Sequence, residues 1–92
     1  MSAPQPSNPR AQADHVIRQR FGERLRELRL ERHVNQDELA HRAGLHRSHI
    51  GLLENGKRDA QLTTVFRLAS ALEVPPSQLL DFTVDLHENT EG

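Results

Sequence analysis

The chain of 92 residues has no cysteine, which excludes disulfides, thiolate metal sites and cysteine nucleophiles together. Tryptophan and tyrosine are also missing, and Phe21, Phe66 and Phe82 are the only aromatic residues. Leucine and alanine carry most of the apolar content, which favours a helical core over a sheet of β-branched and aromatic side chains. No stretch approaches the roughly 20 apolar residues of a membrane span. The opening MSAPQPSNPRAQA lacks the apolar run of a secretory leader, so the expected location is the cytoplasm. Catalytic patterns are equally scarce. There is no glycine-rich phosphate loop, no Ser–His–acid arrangement and no pair of carboxylates with a reason to converge. The 13 acids fit solvated helix faces, so neither an enzyme, a cofactor nor a small-molecule substrate is expected.

The charge that is present is unevenly spread. Net charge is only −1, but Arg10 to Arg58 holds 11 Lys/Arg against 7 Asp/Glu, while Asp59 to Gly92 holds 1 Arg against 6 acids. The halves therefore carry +4 and −5, an asymmetry that fits a basic binding face beside an acidic remainder. Solvated helices also vary in charge, so this alone does not decide.

Along the chain, residues 1–13 are rich in Pro, Ser, Asn and Gln and predict a disordered arm. Ile17, Phe21, Leu25 and Leu28 then form one apolar stripe, predicting a helix from Asp14 to His33 despite Gly22. Asn35 followed by Glu38 is a capping-box signal, opening a short helix from Gln36 to Ala43 that Gly44 stops. A third helix fits Arg47–Asn55, with Ile50 and Leu53 inward. A fourth fits Leu62–Leu72, its stripe being Leu62, Val65, Leu68, Ala69 and Leu72. Pro76 suits the first turn of a fifth helix reaching Phe82, so that one domain spans 14–82 and an acidic tail spans 83–92.

Gln36 to Leu53 reads as one unit. Two short helices meet across a turn containing glycine, and the small Ala40 stands where their backbones approach, which describes a helix-turn-helix. Residues 20–80, with LRELR, NQDELA, GLHRSHIGLLENGKR and LASALEVPPSQLL, closely resemble the Cro/phage-repressor (XRE) family. The resemblance implies an all-α, five-helix, lambda-repressor-like DNA-binding domain. It further implies a transcriptional regulator, within a family that includes restriction–modification controllers, phage repressors and antitoxin-type autoregulators.

Roles follow from matching positions. Arg47, Ser48 and Leu52 match base-reading positions of the recognition helix, and His46 beside them is expected to join that set. Arginine can bond guanine O6 and N7 together, whereas Leu52 could only touch a thymine methyl or else serve the core or a dimer. Gln36, His49, Asn55, Lys57 and Arg58 fall where phosphate is contacted. Arg29 and Glu54 match a structural ion pair between helices one and three. Leu79, Leu80 and Phe82, with Val84 beside them, are expected at a homodimer interface. His46 stands where a Ser, Thr or Asp cap is common, and Ala60 where proline is common.

Two rival readings compete with double-stranded DNA as the partner. His41, His46 and His49 could be metal ligands, but no cysteine or suitable carboxylate completes a set, so no metal is expected. The second rival keeps the scaffold and makes it an interaction module for a protein partner, using the acidic region and Leu79, Leu80 and Phe82.

Overall fold

The computed structural model describes residues 9–85, and these form five helices. They are α1 (Pro9–Glu31), α2 (Gln36–Ala43), α3 (Arg47–Glu54), α4 (Leu62–Leu72) and α5 (Pro76–Leu79). The expected arm at 1–8 and most of the expected tail, 86–92, lie outside the described residues.

The first helix begins at Pro9, five residues earlier than expected, so residues 9–13 belong to α1 rather than to an arm. Proline's fixed φ suits a first helical turn, and Ala11, Gln12 and Ala13 are good helix formers. The helix also ends two residues short of His33. That residue adopts a left-handed φ of 57°, and the Val34 amide turns back to donate to the Arg29 carbonyl at 3.1 Å. The reversal delivers Val34 into the core.

Asn35 caps α2 as expected, its Oδ1 accepting from the Glu38 amide at 2.8 Å. The Glu38 carboxylate pairs with Arg42 one turn along rather than closing the box. At the far end Gly44 has φ 70°. The Leu45 amide donates to the Ala40 carbonyl at 2.9 Å, a reversal that glycine makes without Cβ strain.

The core gathers Phe21, Leu25 and Leu28 from α1, Leu39 and Ala40 from α2, and Ile50 and Leu53 from α3. Val65, Leu68 and Leu72 join them from α4, and Leu79 from α5. The α1 helix packs on α3 and α5, and α2 packs on α3 and α4. Two positions differ from expectation. Leu62 points outward, 69% exposed, because the first residue of α4 lies roughly a quarter turn off the centre of the buried stripe. Leu79, expected at a dimer surface, is fully buried inside the monomer and is a core residue.

The α5 helix is a single turn and stops three residues before Phe82. Arg24 meets the end of this turn. Its Nε donates to the Gln78 carbonyl at 2.7 Å, the oxygen that a continuing helix would offer to the amide of residue 82. Arg24 Nη2 also donates to Gln78 Oε1 at 2.9 Å, so α1 holds α5 by backbone and side chain together.

Candidate nucleic-acid interface

The α3 helix has two faces, and its sequence explains both. Ile50 and Leu53 are three residues apart, share one side and are fully buried. Ser48 and Leu52 lie on the opposite side and are exposed, and so are His46 and Arg47, which stand at the open N-terminal end of the helix one turn before Ile50. Leu52, at 36% exposure, belongs to the outer face and not to the core. Gly51 is open as well: a Cβ there would meet nothing within 4 Å.

His46 occupies the N-cap position without any side-chain cap bond. The first N–H groups of α3 are therefore left to solvent or to a partner, and an anion is the partner they favour. Arg47 is fully on the surface, and its Nε meets Asp37 Oδ1 of α2 at 3.2 Å. Both side chains are largely exposed, so the pair contributes at most about 1 kcal/mol and is easily exchanged. Asp37 was not foreseen from the sequence. The pair joins the first turn of α2 to the first turn of α3, an approach set by tertiary packing that no local signal marks.

At the other end of α3 the chain reverses at Gly56, φ 70°. The Lys57 amide donates to the Leu52 carbonyl at 2.9 Å. The reversal leaves Asn55, Lys57 and Arg58 exposed in a row at the end of the outer face. His49 is half-buried beside them. Burial lowers its pKa below the ordinary imidazole value, and the neighbouring charges of Arg58 and His46 push it the same way.

Behind this face lies a buried polar network. Arg29 Nε and Nη2 donate to Glu54 Oε2 and Oε1 at 2.6 and 3.0 Å, a two-pronged contact between α1 and α3. The hydrogen bonds to Glu54 raise the Arg29 pKa against the opposing effect of burial. Arg29 Nη1 also donates to the Val34 carbonyl at 3.1 Å. Gln36 Nε2 donates to Glu54 Oε1 at 3.0 Å, which holds the half-buried amide at the start of α2. The structure thus brings Gln36, Arg29 and Glu54 into one network.

Of the residues expected at a dimer surface, Leu80 is 50% exposed and Phe82 is half-buried against the core. Leu79 leaves that set. His41, His46 and His49 do not assemble: among the described residues no group of three or more His, Asp or Glu could hold a metal ion. Nor is any described helix long and apolar enough to cross a membrane.

Known proteins share this arrangement. The helix-turn-helix family model matches residues 25–79. Control protein C.BamHI of Bacillus amyloliquefaciens is 40% identical over 68 residues, spanning 73% of this chain and 84% of its own. The transcriptional repressor RghR of Bacillus subtilis is 38% identical over 72 residues, covering 74% of this chain but only 53% of RghR. Among solved structures, the restriction-modification controller protein C.AhdI from Aeromonas hydrophila superposes with a TM-score of 0.68 at 41% identity. That match covers 70% of this chain and 97% of C.AhdI. The relatives are regulators and not enzymes. With its buried α2–α3 hairpin and exposed α3 face, the chain belongs to the XRE-type helix-turn-helix family of DNA-binding transcriptional regulators.

Proposed function

We propose that the protein is a sequence-specific regulator that binds double-stranded DNA as a homodimer, with α3 in the major groove. The observation that carries this reading is the outer face of α3. Arg47, Ser48 and Leu52, with Asn55, Lys57 and Arg58 just beyond the helix, are all exposed, while Ile50 and Leu53 are locked in the core. Arg47 and Ser48 read base edges, with His46 and Leu52 beside them. Gln36, His49, Asn55, Lys57 and Arg58 grip the flanking phosphates. One eight-residue helix buries too little surface for useful specificity, so two copies act together. A two-fold axis sets their recognition helices about 34 Å apart, and the operator is a pseudo-palindrome. Leu80 and Phe82 supply apolar surface for that contact. Relatives named as control proteins and as repressors support action on a promoter.

Selection of bound sequences from random duplexes tests the whole reading. A symmetric site and a steep loss of affinity with salt are expected. Single half-sites would remove the homodimer. No shift at any low salt concentration would favour the protein-interaction reading instead.

Arg47→Ala is expected to cost about 1–3 kcal/mol on the selected operator and to relax preference at one base pair. Binding to random DNA should change little. An equal loss on both would assign Arg47 to phosphate and remove its base-reading role.

His49 gives a pH dependence with a definite sign. In the free protein its neutral form is favoured, so its contribution to fold stability is full above the ordinary imidazole value and is lost as pH falls through the lowered one. A phosphate beside His49 reverses the balance and raises its pKa on binding. DNA affinity at constant salt should then rise as pH falls from about 8 to about 6, up to roughly tenfold for each unit by which binding raises the pKa. His49→Gln should flatten the profile; an unchanged slope in that variant would remove His49 from the interface.

A further inference from the structure

The family match starts at residue 25, whereas α1 starts at Pro9. Four turns of helix, about 24 Å at 1.5 Å per residue, therefore precede the part of the chain that the helix-turn-helix pattern accounts for. They are anchored to the body of the domain. Gly22 lies against the backbone at the end of α3, and a Cβ on Gly56 would come within 3.1 Å of Gln19 Cα. The extension thus packs on the very turn that presents Asn55 and Lys57.

Between the two runs an open groove of about 540 Å³. His15, Arg18 and Gln19 line one side, Asn55 and Lys57 the other, and Asp59 is the acid among the lining residues. Arg18 is half-buried, and no hydrogen bond or ion pair within the described residues engages its guanidinium. The side chains of Lys57 and His15 are likewise without such a partner among the described residues. A guanidinium on a half-buried arginine, with its donors unused by the protein, suits an anionic oxygen pair, which it can bind in a fork.

Resting on the DNA-binding reading above, we infer that this groove seats a backbone phosphate of the duplex flanking the bases read by α3. Arg18 and His15 are then its ligands from α1, and Lys57 its ligand from the turn. The commitment to a nucleic-acid phosphate comes from continuity. Asn55 and Lys57 belong at once to the groove and to the end of the exposed α3 face, so one strand following that face passes over both. The first turns of α1 widen the footprint beyond what the recognition helix covers and add affinity without sequence preference.

Salt titrations test this, using the full chain on a selected operator duplex and on the same duplex trimmed at both ends. Arg18→Ala should weaken binding equally to selected and mismatched sites. It should also reduce the slope of log affinity against log salt by about 1. Arg18→Lys should restore the slope. Trimming the flanks should abolish the difference between wild type and Arg18→Ala. Unchanged affinity and slope in Arg18→Ala, with both reduced in Lys57→Ala, would overturn the α1 contact and leave the DNA reading intact. Inorganic phosphate alone shifting the His15 resonances, with no change of DNA slope in Arg18→Ala, would assign the groove to a free anion and equally overturn it. Failure of the wild-type chain to bind any duplex would remove the underlying reading, and this inference with it.

Discussion

Gly22→Ala is expected to lower the melting temperature by roughly 10–20 °C, although alanine is the better helix former. The added Cβ would sit 2.4 Å from the Leu53 carbonyl oxygen and 2.5 Å from that of Glu54. Both are backbone atoms at the end of α3, so no side chain can rotate away. The whole of α1 must retreat, which opens the packing of α1 on α3, to which Phe21, Leu25, Ile50 and Leu53 contribute buried side chains. Overpacking of this kind costs about 1–3 kcal/mol and occasionally more. Loosening the seam adds to it, since close-packed interiors lose dispersion contacts with small gaps. The propensity gain of about 1 kcal/mol offsets only part. Because both clashing atoms are backbone, the overpacking cost falls at the upper end of its range or beyond it. The resulting net loss of about 2–3 kcal/mol is a large share of the roughly 5–15 kcal/mol that holds a domain together.

Gly51→Ala is the matched control in α3. Nothing lies within 4 Å of its added Cβ, so the same propensity gain should appear undiluted as a rise of several degrees. Thermal unfolding of both variants by circular dichroism decides the matter. Equal melting temperatures for the two would show that the α1–α3 approach tolerates a methyl group.

That contrast marks where the sequence was legible. The helices could be read from local signals: the apolar stripe of α1, the Asn35 cap, Gly44 at the turn and Pro76 at the start of α5. The outer and inner faces of α3 followed from the spacing of Ile50 and Leu53. Gly22 could not be read, because its role is a close approach between segments more than thirty residues apart. From its own helix it is merely a weak former. Leu79 and Leu80 posed the same difficulty: adjacent leucines at a helix end are interchangeable until the packing of α5 on α4 and α1 decides which one is covered. The early start of α1 was hidden by composition. Proline, serine and asparagine before Pro9 suggested an arm, and that pattern does not mark where one ends. His33 and Glu73 take left-handed φ without being glycine, so neither helix end carried its usual residue.

The second large effect is expected at Glu54. Glu54→Ala removes the acceptor of both Arg29 prongs and of the Gln36 amide, leaving a buried guanidinium without its counter-ion. Breaking a buried pair from one side costs about 3–5 kcal/mol, mostly as the penalty of the charge left behind. Replacing both partners with apolar residues, Arg29→Met with Glu54→Leu, should recover most of that loss. The desolvation of two charges then vanishes together with their attraction. About 1 kcal/mol for each polar group left behind, the Val34 carbonyl and the Gln36 amide, should remain. Denaturant titrations of the two single variants and the double variant measure this directly. A double variant as unstable as Glu54→Ala would mean that the pair is a net stabiliser in itself. DNA binding should separate the two roles of the network. The apolar pair frees the Gln36 amide from its anchor, so affinity should fall for all sequences even at temperatures where the domain is fully folded. Unchanged affinity in a stable double variant would show that Gln36 needs no fixed orientation, and that the network sets only the packing of α1 against α3.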